Sequence, residues 1–245
     1  MIKRIALVTD FAAAGPYSGQ LRMVLDGLLP ELPVVDLVSD LPSFRPDLAA
    51  YLIPQLIRDV PSDTLFLCVV DPGVGGKRAA LALRADGNWF VGPDNGLLAV
   101  VARRTGEVHC RRVDWRPQRL SASFHGRDLF APIAARIAKG IALSGADLTP
   151  AGMEGHDWPG ECLKVIYRDG YGNLCSGIRA SGVDRRARIA AGDREIGYAR
   201  TFCEVPAGTP FWYENSFGLI ELAVNQGRAD RLLGLAPGDE LGLID

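Results

Sequence analysis

Apolar positions fall into two kinds of block over the first 140 or so residues. Arg4 to Thr9 (RIALVT) is a short apolar run ended by Asp10 and reads as a buried strand, while Gly19 to Leu29 reads as a helix. Pro33 to Val38 reads as a strand, Pro46 to Val60 as an amphipathic helix, and Thr64 to Val70 (TLFLCVV) as a fully buried strand. Such alternation predicts a mostly parallel sheet with helices on both faces. Past Asp71 the pattern changes. Ala79 to Arg84 and Trp89 to Val91 read as strands joined through Asp86-Gly87-Asn88, a hairpin signal, and helices are expected at Leu97 to Arg104 and Leu129 to Lys139.

Gly, Pro and Asp punctuate Leu143 to Gly160, which reads as a linker. Short strands then dominate: Leu163 to Tyr167, Ala187 to Ile189, Glu195 to Thr201, Phe211 to Glu214 and Leu219 to Val224. The expected fold class is an α/β N-terminal domain with a mostly parallel sheet, plus a small all-β C-terminal domain. The expected boundaries are 1–142 for the α/β domain, 143–160 for the linker and 161–245 for the β domain.

Composition narrows the function classes. Hydrophobic residues make up 48% and charged residues 23% of the 245, and no apolar run approaches the roughly 20 residues of a membrane span. The opening MIKRIALVTD passes from basic residues straight into a strand without a signal-type apolar core, so cytoplasmic residence is the expectation. The formal net charge is -2 and the arginines are scattered, which argues against a nucleic-acid-binding face. Five cysteines form no C-x-x-C pair and no cluster with metal-ligand spacing. They read as buried small hydrophobes, and no metal or cofactor is expected.

The sharpest local signal is Asp71-Pro72-Gly73-Val74-Gly75-Gly76-Lys77-Arg78, directly after a buried strand, where sheet ligands bind. A glycine-rich nucleotide loop of the methyltransferase kind would have to open a helix, whereas Ala79 to Arg84 reads as a strand. A second cluster, Ser121 to Asp128, places His125 in a loop before a helix, with Asp128 a possible N-cap. Asp10, at the end of the first strand, suits a vicinal diol such as that of a ribose, or alternatively caps its own turn. Gly92-Pro93-Asp94-Asn95-Gly96 reads as turn chemistry. In the second half, Asp169-Gly170-Tyr171-Gly172-Asn173 and Asn215-Ser216-Phe217-Gly218 are either hairpin turns or an amino-acid site, Asp169 pairing an ammonium and Ser216 a carboxylate.

Taken in order and spacing, Thr9-Asp10-Phe11, Val69 to Gly75 with Arg78, Val91 to Gly96, Phe124-His125-Gly126-Arg127-Asp128, Gly172-Asn173 and Asn215-Ser216 resemble the S-adenosylmethionine hydroxide adenosyltransferase family, related to the fluorinase and chlorinase enzymes. The resemblance runs from Ile5 to about Leu241. It implies a barrel-like C-terminal domain and a homotrimer with sites between subunits. It also implies hydrolysis of S-adenosylmethionine to adenosine and L-methionine, with the substrate needing no separate cofactor. Asp71, Arg78 and His125 correspond to the trio that attends the attacking water in the hydrolysing branch, and the halide-using branch lacks this trio. Substrate-binding roles carry over to Asp10 and Phe11 on the ribose side and to Asp169, Asn173, Asn215 and Ser216 around methionine and adenine. The chain departs from the family pattern at Ala12-Ala13-Ala14-Gly15, where a glycine often follows T-D-F directly, at Ser39-Asp40, at Tyr171 and at Ser176-Gly177.

The implied chemistry suits these residue types. A sulfonium leaves as a neutral thioether and needs no protonation, so the protein's task is to deliver water in line. An Arg beside that water favours its hydroxide form, a neutral His can accept a proton or a hydrogen bond, and an Asp can orient both. Holding the water at attacking distance removes the entropy of encounter. Halide transfer, a non-catalytic S-adenosylmethionine or adenosine binder, and a methyltransferase are the competing expectations.

Overall fold

In the computed structural model, which describes residues 1–12 and 14–244, the first strand forms where its apolar run predicts. The N-terminal part runs β1 (Arg4–Thr9), α1 (Tyr17–Leu28), β2 (Val34–Val38), α2 (Pro46–Leu56), β3 (Thr64–Val69), β4 (Ala80–Ala85), β5 (Asn88–Pro93), α3 (Ala99–Arg104), β6 (Val108–Val113), α4 (Ala131–Ala138) and β7 (Gly145–Leu148). Its strands make one seven-stranded sheet, ordered β2-β1-β3-β5-β4-β6-β7. The parallel core is β2-β1-β3-β5. Strands β4, β6 and β7 extend it in antiparallel fashion, so the sheet is mixed. The turn explains the switch: Asp86 and Gly87 both take positive φ, 46° and 76°, the mark of a two-residue hairpin turn, which can join only antiparallel strands.

Every residue of β3 is buried, and alternate side chains of a strand face opposite ways. Leu65, Leu67 and Val69 join Leu21 and Leu25 of α1 and Ile133 and Ala134 of α4 in one core. Phe66 and Cys68, equally buried on the other face, and Phe90, stacked on Phe66 at 4.9 Å between ring centroids, give that face a core of its own. Parallel pairing sets Thr9 beside Val69, so Asp10 and Asp71 emerge from neighbouring strands at the same carboxyl edge. The chain then enters α4 through one π-helical turn, Gly126–Phe130, which starts the helical segment three residues before the expected Leu129.

The C-terminal part contains β8 (Cys162–Arg168), β9 (Leu174–Arg179), β10 (Arg188–Ala191), β11 (Arg194–Ile196), β12 (Pro210–Glu214), β13 (Leu219–Val224), α5 (Ala229–Leu233) and β14 (Leu241–Ile244). They build a four-stranded sheet, β12-β13-β9-β8, and a three-stranded sheet, β11-β10-β14. Val165, Leu174, Ile189, Trp212, Ile220, Leu222 and Leu241 share one core. Two strands, β9 and β14, escape the sequence pattern because Leu174–Arg179 (LCSGIR) and Leu241–Ile244 (LGLI) carry glycine and little alternation.

The chain divides into two compact units, Met1–Ile53 with Asp59–Trp158, and Pro54–Arg58 with Pro159–Asp245. The stretch 143–160 is therefore not a free linker. Within it, β7 pairs with β6, setting Cys110 against Leu148 and Val113 against Gly145. Met153 is buried, the Glu154 N–H donates to Asp94 Oδ1 at 3.0 Å, and Arg103 donates to the Trp158 carbonyl. Glycine and proline mark turns here without loosening the segment from the sheet. Met153→Ala is expected to lower unfolding stability by about 2–4 kcal/mol, measured by urea denaturation; a loss below about 0.5 kcal/mol, the size of an ordinary surface substitution, would mean that the segment is peripheral after all.

Candidate active site

Asp71, Arg78 and His125 converge although 47 residues separate Arg78 from His125. Arg78 Nε donates to Asp71 Oδ1 at 2.8 Å and Oδ2 at 3.0 Å, and Arg78 Nη2 is bonded to Asp71 Oδ2. The same Nη2 lies 2.7 Å from His125 Nδ1. The guanidinium rests over the Phe130 ring, 5.2 Å from its centroid, and the Asp71 and Arg78 side chains are 4% and 11% exposed. A buried ion pair of this kind is weak evidence for stability. Its consequence is geometrical, because a bidentate fork fixes both planes.

One nitrogen settles the state of His125. Arginine stays protonated and has donors but no acceptor, so Nδ1 must receive the hydrogen bond, and the proton of the neutral ring is on Nε2. Burial and the neighbouring Arg78 charge both hold the imidazole pKa below its ordinary 6.5, against weaker support from Asp71 and Asp128. His125 is thus a neutral donor through Nε2–H. That nitrogen has no protein partner among the described residues.

The loop carrying Asp71 and the loop carrying His125 approach each other at Gly75, which takes φ +80°. A Cβ there would lie 2.4 Å from the Ala122 carbonyl oxygen, so only glycine allows this approach. On the other side of His125, Asp128 accepts the Ser121 N–H at 3.0 Å and a two-pronged contact from Arg127. Asp128 therefore fastens the loop, where the sequence suggested an N-cap.

A cavity of about 320 Å³ opens at this edge, lined by Asp10, Phe11, Tyr17, Phe44, Asp71 and His125 among others. Phe11, Tyr17 and Phe124 pack with ring centroids 5.2–5.8 Å apart. Asp10 Oδ2 accepts the Phe44 N–H at 3.2 Å. Burial pushes the Asp10 carboxyl above 3.8, the Phe44 N–H opposes that rise, and Asp71 adds to it. Of the loop Ala12 to Gly15, Ala13 lies outside the described residues. Ala12 takes φ 56°, a left-handed value at the position where the family often has glycine. Tyr17 and Phe44 were not singled out from the sequence, since lone aromatics beside a turn carry no signal of a site.

The remaining candidates line a separate cavity of about 960 Å³ within the second unit, which holds Asp169, Asn173, Asn215 and Ser216 together with Tyr213 and Glu221. Asp169 closes its hairpin, accepting from Asn173 N at 2.8 Å and Asn173 Nδ2 at 2.9 Å. Asn215 is committed within the chain. Its Oδ1 accepts the N–H groups of Phe217 and Leu219, both at 3.0 Å, and its Nδ2 donates to Glu221 Oε2 at 2.8 Å. Asn215 therefore shapes the turn that displays exposed Ser216. Ser176 is fully buried and donates to the Ile220 carbonyl at 2.8 Å, which places that departure from the family in the core. Glu221 was missed, although it is the one charged residue in the apolar run LIELAV.

Comparison with known proteins shows the family of the chain. Residues 5–147 match the SAM hydroxide adenosyltransferase N-terminal domain, and residues 163–242 match the C-terminal domain of the same description. The chain belongs to the SAM hydroxide adenosyltransferase family. It is 36% identical to a protein of Salinispora arenicola named (R)-S-adenosyl-L-methionine hydrolase, covering 97% of this chain and 96% of that one. A Thermus thermophilus protein of the same name is 35% identical, over 99% of this chain and 100% of its own. Among solved structures, an uncharacterized conserved protein from Thermotoga maritima superposes with a TM-score of 0.86 at 30% identity, covering 98% of this chain and 100% of that one. The helix after Gly76 that a methyltransferase would need is absent among the described residues, since β4 follows.

His125 must be neutral for Nδ1 to accept from Arg78, so activity should be full at neutral pH and fall as the ring protonates, at a pH below the ordinary 6.5. His125→Ala should lower kcat by roughly 100-fold or more with KM little changed, and should remove that acid limb from the kcat profile. A variant that kept the wild-type limb would show that another group titrates there.

Proposed function

We propose that the chain hydrolyses S-adenosylmethionine, as its (R)-sulfonium isomer, to adenosine and L-methionine, and that Asp71, Arg78 and His125 order the attacking water. The observation that carries the reading is the Arg78 fork, which fixes an anion and a neutral donor on one cavity. The (R) configuration is supported by the names of the Salinispora and Thermus relatives.

In the proposed step the water oxygen attacks the 5′-carbon, the carbon–sulfur bond breaks, and its electron pair stays on sulfur as a neutral thioether. His125 Nε2–H donates to one lone pair of the water and leaves the other for carbon. Asp71, the trio's one anion, takes the proton. The oxygen that has bonded to carbon is positively charged and strongly acidic, so a carboxylate suffices as acceptor and the proton leaves late. Asp10 holds the ribose diol, with Phe11 beside it. In the other cavity Asp169 and Ser216 receive the amino-acid end, and Asn173 Oδ1, whose amide nitrogen already serves Asp169, accepts from adenine. A halide ion brings no proton to remove, and a pure binder has no use for the trio, so neither alternative accounts for these residues.

The reading places the enzyme in the cytoplasm, in keeping with five free cysteines. It also makes the enzyme a homotrimer whose sites combine the two residue sets from different subunits, as pockets at subunit interfaces do.

Turnover in heavy-oxygen water should place the label on the 5′-hydroxyl of adenosine, with the (R) isomer consumed faster than the (S) isomer and no 5′-chloro product in chloride. Label missing from adenosine overturns the mechanism, and equal rates overturn the stereochemical assignment. Co-refolding of inactive His125→Ala and Asp169→Ala variants should restore part of the activity through mixed trimers. Mixed trimers that form and stay inactive would place each site within one subunit.

A further inference from the structure

Gly92-Pro93-Asp94-Asn95-Gly96 reads from the sequence as a turn, and the sheet gives that turn a particular place. The order β3-β5-β4 sets β5 between the strand that ends before Asp71 and the strand that begins after Arg78. The loop from Asp71 to Arg78 must therefore cross the end of β5, and the chain leaving β5 emerges between its two arms. Gly92 makes the approach to β3 close. A Cβ there would lie 2.5 Å from the Cys68 carbonyl oxygen, a clash with backbone that glycine avoids.

Consecutive residues of the turn hold the two arms. The Asp94 N–H donates to the Ala79 carbonyl at 3.0 Å, on the Arg78 side. Asn95 Nδ2 donates to the Val70 carbonyl at 2.9 Å, on the Asp71 side. The first contact is backbone at both ends and continues the ladder that pairs Ala80 with Pro93. The second depends on a side chain. Val70 lies past the end of β3 and is fully buried, so its carbonyl needs a donor from the protein. The orientation of the amide follows from its partners, because Oδ1 accepts the Leu97 N–H at 3.3 Å and that group can only donate. A turn alone would need no more than this acceptor, which aspartate or serine also supplies; the Nδ2 contact is the one that asks for asparagine. On the other side of Asp71, its own carbonyl accepts the Val74 N–H at 3.2 Å. Both peptides that flank Asp71 are thus pinned, and with them the direction of its Cα–Cβ bond.

We propose that Asn95 is a positioning residue for the trio, holding the Asp71 arm of the loop in register with the Arg78 arm so that the carboxylate meets the guanidinium squarely. It acts through the Val70–Asp71 peptide and not on the substrate. Its effect on turnover rests on the reading of Asp71, Arg78 and His125 as the hydrolytic centre.

Asn95→Ser and Asn95→Asp test this, since both keep an acceptor for the Leu97 N–H. Serine is too short to reach the Val70 carbonyl, and the aspartate sets an oxygen against it. Each should lower kcat for S-adenosylmethionine by roughly 10- to 100-fold, the scale of a small misplacement passed on to a reacting centre, with KM held within about twofold. Nitrogen-15 NMR of the histidines gives a readout independent of turnover, with His125 assigned by the signal that His125→Ala removes. In the wild-type protein at neutral pH, Nδ1 of His125 should be bare and Nε2 protonated; in both variants the ring should shift toward a mixture of tautomers. If Asn95→Asp fails to fold, Asn95→Ser, which buries no charge, supplies the result. Wild-type protein without turnover would defeat the hydrolase reading, and the His125 signals would still decide whether Asn95 sets the trio. A defect carried mainly by KM, a fall in kcat with the His125 tautomer intact, or a protein that is merely less stable with kcat and His125 unchanged overturns the proposal, because a residue that only props its own turn would act in one of these ways.

Discussion

The site depends on a property that arginine cannot set aside: its guanidinium donates hydrogen bonds and accepts none. Once Arg78 Nη2 is shared between Asp71 and His125 Nδ1, the histidine tautomer, the orientation of its ring and the plane of the carboxylate all follow. The fold supplies what this requires. Parallel β1 and β3 bring Asp10 and Asp71 to one edge, a tight hairpin beyond Arg78 turns the chain back into the sheet, and Phe130 backs the guanidinium. Gly75 lets the His125 loop come within reach. A lysine at position 78 could make one such contact but not a planar fork, so the geometry belongs to arginine.

The two cavities differ in what lines them, and the proposed reaction gives each a different task. The smaller one is rich in aromatic rings and is lined by Asp71 and His125, which suits the proposed reacting centre, where water must be limited and oriented. The larger one is lined by turns and by a polar row on an otherwise apolar sheet, which suits the zwitterionic amino acid that the proposed function places there. Binding energy gathered away from the reacting carbon can hold the substrate in the attacking geometry. The Asn215 turn shows how much of such a loop is given over to holding its own shape. Its amide is used up in holding backbone N–H groups and Glu221, and Ser216 is what remains exposed.

The sequence was most legible where one kind of pattern acted alone. β1 and β3, buried strands of unbroken apolar character, lie within a residue of their expected limits, and the Asp86-Gly87 signal located the hairpin. Strands β6 and β7 escaped it: β6 (VHCRRV) has its charged side chains turned outward, and β7 (GADL) is short and polar on the sheet edge, so pairing rather than composition makes them strands. At the site, order and spacing singled out Asp71, Arg78 and His125, which the structure joins through the Arg78 guanidinium. They could not show that Asn215 is occupied within the chain, that Asp128 fastens a loop, or that Glu221 faces a cavity, because those facts depend on register and hydrogen bonding between distant strands. The buried glutamate in an apolar run was nevertheless a visible irregularity, and such irregularities tend to mark function.

Charge conservation explains why a histidine blocked at Nδ1 is compatible with this reaction. The substrate brings one positive charge on sulfur, and the products are a neutral thioether and one released proton, so the charge moves from sulfur to oxygen as the bond to carbon forms. Removing a proton from water beforehand would demand a strong base beside a cationic substrate. Removing it from the newly bonded oxygen demands only a carboxylate, the role proposed for Asp71. A protonated His125 would add a positive charge beside Arg78, just where positive charge develops on oxygen, and would leave Nδ1 with a proton directed at a guanidinium. Burial and Arg78, which hold the ring neutral, therefore favour the same charge distribution that the reacting oxygen needs.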